Sequence, residues 1–247
     1  MELKVIAYAR NGHTDKFGIP RQSRDESPIV TRIVFEPEFA IPEAIRGIEG
    51  FSHLWIIWGF SETPGYRDNG IPTQDLSWSP TVRPPRLGGN KRVGVFATRS
   101  PFRPNPIGLS SVKLIAIENG DLLVSGADML DGTPIYDIKP YLSFSDSHPE
   151  AQNGFAEETK DYTLEVHWEE VLRPRNTGKN HEYCLGLPGN DQVITPFTIR
   201  ELEYILQQDP RPAYQDDPER EYKMDYDGWR VTFVVNNAIF VKKIEKI

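Results

Sequence analysis

The chain has 247 residues, 38% hydrophobic and 26% charged, with one cysteine and a formal net charge of −8. Such a composition excludes a disordered or low-complexity chain and leaves room for one large domain or a large and a small one. A lone thiol, Cys184, excludes an internal disulfide and a cysteine-rich zinc site, so a reducing cytoplasmic setting is expected, and the opening Met1–Ile6 lacks the basic-then-apolar pattern of a signal peptide.

In chain order, Val5–Ala9 reads as an opening strand and Ile29–Phe35, rich in β-branched residues, as a second. Pro42-Glu43-Ala44-Ile45 has the chemistry of a helix start, with a stop at Gly47 or Gly50. The apolar run His53–Phe60 predicts a strand buried on both faces; its Leu54–Trp58 core is far too short to span a bilayer. Residues 64–92 are proline-rich and irregular, and Arg92–Thr98 predicts another strand. Asn119-Gly120 between Val112–Glu118 and Leu122–Gly126 is a strong hairpin signal. Thr133–Tyr141 reads as extended. Residues 146–160 read as a linker between a domain over 1–145 and another over 161–247. In the latter, Thr163–Trp168 predicts a strand and Thr198–Gln207 has helical spacing. Trp229–Val235 and Ala238–Val241 predict a terminal hairpin across Asn236-Asn237.

A net charge of −8 argues against nucleic acid, but its distribution argues for it. Between Val82 and Asn105 stand six basic residues and no acidic one: Arg83, Arg86, Lys91, Arg92, Arg99 and Arg103. A local field of this kind steers a polyanion to one face whatever the total.

Four segments carry candidate chemistry. Gly94–Ser110 interleaves three prolines with Arg99, Arg103 and Asn105. Prolines stiffen a loop, and a stiff loop can aim guanidinium groups at carboxylates or phosphates with little ordering cost. A merely stiff surface connection explains the prolines but not two arginines so close together. In Asp128–Tyr141, Asp131-Gly132-Thr133-Pro134 has turn chemistry, which a plain tight turn explains equally well. Backbone groups of such a turn could also grip an adenine or an amino-acid group. Gly18–Gln22 is a weak signal alone. His53, at the edge of an apolar strand, fits a structural histidine better than a catalyst. No dinucleotide-binding glycine fingerprint, phosphate loop or Gly-x-Ser-x-Gly occurs, and the five histidines are scattered, so no metal site is expected. A catalyst and a binding module for an adenosine ligand or RNA both fit these residues.

Pro20-Arg21-Gln22, Phe51–Trp55, Pro80–Asn90, Gly94–Ser110, Asp131–Pro134 with Asp137–Tyr141, and Gln208–Tyr214 together resemble the TsaA-like (TrmO) family. The resemblance spans most of the chain and is densest over 1–145. It implies a mainly β fold: a small β-barrel that takes S-adenosylmethionine, then a smaller α+β C-terminal domain. It implies methyl transfer to N6 of threonylcarbamoyladenosine at position 37 of tRNA, and a homodimer. Carried over residue by residue, it implies a cofactor pocket of Arg21, Gln22, Ser23, Ser61, Glu62, Arg99, Leu109, Met129, Leu130, Asp131 and Gly132. Ser61 departs from the family pattern, in which a histidine is common there. For the proton on N6 the candidates are Asp131, then Tyr136 and Asp137. For the tRNA anticodon loop they are Arg83, Arg86, Lys91, Arg92, Arg103, Asn105, Lys139, Arg211 and Tyr214.

Overall fold

A computed structural model describes residues 2–60, 79–84, 91–168, 170–176, 181–186, 192–211, 215 and 217–247. The chain divides into two compact units. One comprises 1–11 and 21–160, the other 12–20 and 161–247.

The first unit is built on six strands: β1 (Ala7–Arg10), β2 (Val30–Phe35), β3 (His53–Gly59), β6 (Ile107–Glu118), β7 (Asp121–Ser125) and β8 (Pro134–Pro140). They close in the order β1-β2-β7-β6-β3-β8, with β8 bonded back to β1. A separate pair, β4 (Thr81–Val82) and β5 (Val93–Gly94), lies in the long connection before β6. The short helix α1 (Ser143–Asp146) follows β8. Successive side chains alternate between the two faces of a strand. On this rule Ala7, Ala9, Ile33, Leu54, Ile56, Trp58, Val112, Leu122, Val124 and Ile135 fill one core, joined by Met129 from a connection. Burying a side chain such as Leu54 or Ile56 completely is worth roughly 1.5–3 kcal/mol. Asn119 (φ 54°) and Gly120 (φ 90°) both take the left-handed region, which a two-residue hairpin turn demands, so β6 and β7 pair as expected.

Three expectations change. The apolar run over β3 alternates instead of being buried on both faces; Trp55 and Ile57 stay half-buried on the outside, where Trp55 packs on Tyr141 and donates to Asp146 Oδ2 at 2.9 Å. The span 92–98 is not one strand: only Val93–Gly94 pairs, and Val95–Ala97 turns as a 3-10 helix because Phe96, Ala97 and Arg99 have no inward face to fill. Pro42–Ile45 is likewise a single 3-10 turn, followed by a second at Ile48–Gly50.

Topology decides where the motifs gather. Each strand is antiparallel to both neighbours, so β1, β7 and β3 run one way and β2, β6 and β8 the other. The connections leaving β1, β7 and β3 therefore leave at the same end of the barrel. These are residues 11–29, 126–133 and 60–106, which carry three of the four candidate segments.

The second unit holds β9 (Val166–His167), β10 (Leu172–Asn176), β11 (His181–Leu185), β12 (Val193–Ile194), α2 (Pro196–Gln207), β13 (Tyr222–Tyr226), β14 (Trp229–Asn236) and β15 (Ala238–Lys246). One sheet runs β13-β14-β15-β9, another β10-β11-β12. Thr195 caps α2 by accepting from the Thr198 N–H at 3.1 Å, and Pro196 opens it. Its buried face is Ile199, Leu202, Ile205 and Leu206. Thr163–Trp168 contributes only the two paired residues of β9, parallel to β15. The sequence reading overlooked β13 and the Asp227-Gly228 turn that joins it to β14. Residues 12–20 pack inside this unit: Phe17 stacks on Tyr222 and Phe233, each at 6.3 Å, and His13 meets Tyr226 edge-on at 5.0 Å. Among the described residues no helix is long and apolar enough to cross a membrane.

Candidate active site

At the end of the barrel where the three connections meet, polar groups link them in a continuous path. The Trp58 indole Nε1 on β3 donates to Ser110 Oγ on β6 at 2.9 Å. The Ser110 hydroxyl donates in turn to Asp128 Oδ1, on the 126–133 connection. The Ser23 backbone N–H and the charge of Arg99 also act on the Asp128 carboxylate. Arg99 donates to Gln22 Oε1, and the Ser23 hydroxyl donates to the Ser111 carbonyl. Burial pushes the Asp128 carboxyl above the usual carboxylate range. The Ser110 hydroxyl, its own backbone N–H, Arg99 and the Ser23 amide pull it part of the way back.

Beside this path, Leu109 (56% exposed) and Phe102 (51%) present apolar surface to solvent. Asp131 Oδ1 accepts the Asn11 N–H at 3.1 Å, and its Oδ2 lies 3.5 Å from Arg10 Nη1. The Met129 carbonyl accepts Asn11 Nδ2 at 3.0 Å, the Leu130 carbonyl accepts the Thr133 N–H at 3.2 Å, and the Gly132 N–H donates to Ala9 O at 2.8 Å. The 126–133 connection is thereby pinned to the end of β1.

Of the residues expected in a cofactor pocket, Gln22 and Arg99 meet directly, Ser23 follows Gln22 and is anchored on the Ser111 carbonyl, and Arg21, half-buried, precedes Gln22. The Met129 side chain points into the core, 1% exposed, so only its backbone faces this site. Ser61 and Glu62 lie outside the described residues. Among the proton-acceptor candidates, Tyr136 packs against Gly59. Burial and the neighbouring Tyr8 raise its pKa, so at neutral pH it keeps its proton and does not serve as the base. Asp137 Oδ2 is held 2.7 Å from Lys139 Nζ, on β8.

The expected RNA contacts divide. Arg83 and Lys91 are exposed. Arg92 is tied to Thr81 (Nε–Oγ1 2.8 Å), Arg103 Nη1 donates to the Thr98 carbonyl at 3.0 Å, and the Asn105 carbonyl accepts the Ile107 N–H at 2.8 Å. Arg211 in the second unit makes a two-oxygen bond to Asp209 at 3.0 and 3.1 Å. Arg86 and Tyr214 lie outside the described residues. His53 is held by Ser52 and by Asp25 Oδ2 at 3.1 Å, which accounts for it structurally.

Residues 8–147 match the tRNA-methyltransferase O N-terminal domain, and residues 195–247 match the TrmO C-terminal domain. The chain belongs to the TrmO family. A relative from Escherichia coli K12, a tRNA (adenine(37)-N6)-methyltransferase, is 37% identical over 241 residues, covering 94% of this chain and 93% of its own. One of the same name from Eikenella corrodens is 43% identical over 192 residues, 76% of this chain and 93% of its own. Among solved structures, TrmO from Pseudomonas aeruginosa superposes with a TM-score of 0.70 at 28% identity, covering 99% of this chain and 98% of that one.

Sequence reasoning placed the TrmO segments but missed Asp128, Ser110 and Trp58 as parts of one path. A signal was present for Asp128: an ionisable residue set between Ala127 and Met129 in an otherwise apolar stretch. Nothing in the sequence alone pairs Trp58 with Ser110, because the register of β3 against β6 decides that.

Proposed function

We propose that this chain uses S-adenosylmethionine to methylate N6 of the adenosine at position 37 of tRNA, with threonylcarbamoyladenosine as the accepted nucleotide. The observation that carries this reading is the match of both family domains, together with relatives of that activity aligned over nearly the whole chain.

The residues at the barrel end suit the cofactor's chemistry. Arg99, oriented by Gln22, offers a guanidinium for the methionine carboxylate. In this reading Arg21, Ser23 and the backbone carbonyls of Met129, Leu130 and Gly132 take the ribose and the base, those of Met129 and Leu130 through the lone pair that Asn11 and Thr133 leave open, and exposed Leu109 offers apolar cover. Ser61 and Glu62, which follow Phe60 in sequence, complete the set in this reading. Bound there, S-adenosylmethionine supplies a methyl group already activated on sulfur. The work left to the protein is to hold the acceptor in line, exclude water and take the N6 proton. We assign the proton to Asp131, whose carboxylate is fixed in place by Asn11 and Arg10. Tyr136, protonated, acts as a donor, and Asp137 serves mainly to hold Lys139.

The threonyl carboxylate of the nucleotide calls for a cation, for which Arg99 and Arg103 on the 60–106 connection are the nearer candidates; Lys139 stands opposite Trp55, away from the end of β3 that this connection leaves, and is paired with Asp137. The phosphates of the anticodon loop go to Arg83, Arg86, Lys91 and Arg92, with Asn105 close in sequence; Arg211 and Tyr214 are the contacts assigned in the second unit. A homodimer in the cytoplasm belongs to this reading; for the homodimer, exposed Phe51, Ile115 and Ile117, which line one groove, offer apolar surface to a second copy.

The test is methyl transfer from labelled S-adenosylmethionine to two tRNA pools, one carrying threonylcarbamoyladenosine and one from cells lacking it. Label in the first pool alone is expected. Label in neither pool, despite tight cofactor binding, would leave a module that binds an adenosine ligand.

A further inference from the structure

We infer that the second unit takes part in cofactor binding: the segment 12–20, anchored there by Phe17, fixes the two stretches of chain that carry cofactor residues, and Phe17 is a positioning residue. This role rests on the reading of Arg21, Gln22, Ser23, Met129 and Asp131 as cofactor contacts, and deepens it.

Strands β1 and β2 are antiparallel neighbours, with Arg10 opposite Arg32. A hairpin loop of roughly two to five residues would join them. The chain instead runs through residues 11–29 and gives 12–20 to the other unit. Closing the barrel does not require that excursion, and both of its ends stand on cofactor residues. At the departing end, Asn11 donates to the Met129 carbonyl at 3.0 Å and to Asp131 Oδ1 at 3.1 Å. The carbonyl of the next residue, Gly12, accepts the Asp227 N–H at 2.9 Å. At the returning end, buried Pro20 runs directly into Arg21 and Gln22. One Cα–Cα step is about 3.8 Å, so Arg21 moves when Pro20 moves.

Between these ends the segment is wedged into the second unit. Phe17 stacks on Tyr222 and on Phe233, with ring centroids 6.3 Å away in each case. Gly18, at φ 102°, lies so close to Met224 that a Cβ would stand 2.5 Å from its Sδ. His13 meets Tyr226 edge-on at 5.0 Å. Aromatic pairs favour particular geometries, so these contacts fix the segment's place and not merely its burial. A further tie closes the set: Arg24, next to Ser23, donates to the carbonyl of Lys160, the residue after which the chain passes into the second unit for good. Each passage between the units (after Asn11, before Arg21 and after Lys160) is therefore held by a residue in or beside the candidate pocket.

Packing alone would leave Phe17 indifferent to the cofactor. Linkage separates the two roles. If anchoring 12–20 favours cofactor binding, cofactor binding must favour the anchoring by the same factor.

The experiment uses the full chain. Kd for S-adenosylmethionine and for S-adenosylhomocysteine is measured well below the Tm of every variant. Phe17→Ala is expected to weaken both ligands equally, by about tenfold, the equivalent of one backbone residue left to be ordered on binding. Its kcat at saturating cofactor and tRNA should stay within about threefold, because no reacting group has been touched. Phe17→Tyr keeps the stacked ring and should bind within about twofold of wild type. Leu185→Ala truncates a buried residue on β11, away from Phe17; it should lower Tm and leave Kd within about twofold. In the wild type, saturating S-adenosylhomocysteine should slow hydrogen exchange at the Asp227 N–H and across 12–20. That measurement needs no variant and stands even where Phe17→Ala does not fold. Unchanged exchange at Asp227 overturns the role given to the second unit. So does an unchanged Kd in Phe17→Ala where Arg99→Gln weakens binding, and the site assignment then survives. A Kd loss shared by Leu185→Ala overturns it in favour of general stability. If Arg99→Gln also changes nothing, the site assignment itself fails.

Discussion

The Trp58 indole and Ser110 hydroxyl are joined at 2.9 Å across two neighbouring strands, and the ring of Trp58 covers the place where residue 108 would carry a side chain. Gly108 is directly opposite Trp58 in the β3–β6 register, so the ring can reach Ser110 only because residue 108 has no Cβ. Gly108→Ala should therefore displace the indole and cost about 1–3 kcal/mol by overpacking. Ser110→Ala should cost a similar ~1–3 kcal/mol by leaving the buried indole N–H without its acceptor. Chemical denaturation followed by tryptophan fluorescence measures both. Wild-type stability in either variant would show that this contact does not hold the barrel end together.

Asp131 offers a test of the chemical step that leaves the loop intact. Asp131→Asn still presents an oxygen to the Asn11 N–H, so the 126–133 connection should keep its place and cofactor Kd should stay within about twofold. Turnover should fall by about a hundredfold or more if Asp131 takes the N6 proton. Single-turnover methylation of tRNA checks it. A loss below about fivefold would reduce Asp131 to a residue that staples the loop.

Arg83 and Lys91 are exposed and carry no described salt bridge, which makes them the cleanest probes of the RNA face. Replacing both with alanine should weaken tRNA binding in 0.1 M salt. The slope of log K against log salt should fall by roughly one per lost phosphate contact. Cofactor affinity should not change. An unaltered slope, measured by filter binding across salt concentrations, would place the RNA elsewhere.

His13 makes the second unit sensitive to acid. Burial lowers its pKa to about 4, from 6.5 in the unfolded chain. Between those values the unfolded chain binds the extra proton and the folded one refuses it, so stability falls as pH drops from about 6.5 to 4. The full loss is on the order of 3 kcal/mol. His13→Phe keeps an aromatic ring against Tyr226 and should flatten this part of the Tm–pH curve. A curve that stays as steep in the variant would assign the acid sensitivity to other groups.

The sequence and the structure agree where local chemistry is strong. Asn119-Gly120 announced its hairpin, the β-branched run after Ile29 announced β2, and apolar spacing announced α2. They part where tertiary context overrides local pattern. The run Leu54–Trp58 is apolar throughout, yet it alternates, and outward Trp55 is covered by Tyr141 and by α1, not by a second layer of sheet. Arg92–Thr98 has strand composition but finds only one partner strand for two of its residues. The site follows the same rule. Motifs marked the connections correctly, since prolines and arginines speak for themselves in sequence. The buried links among Asp128, Ser110 and Trp58 depend on register and closure, which no single segment encodes.

Residues 12–20 belong to the second compact unit although both flanking stretches belong to the first. The two units are therefore not consecutive pieces of chain, and no single cut yields both intact. A fragment ending at residue 160 would keep Phe17 and His13 but lose Tyr222, Tyr226 and Phe233, the rings they pack on. The nine-residue excursion would become an unsupported tether attached directly to Arg21, Gln22 and Ser23. Protein engineers who trim this chain to its barrel should count that loop as part of what they remove.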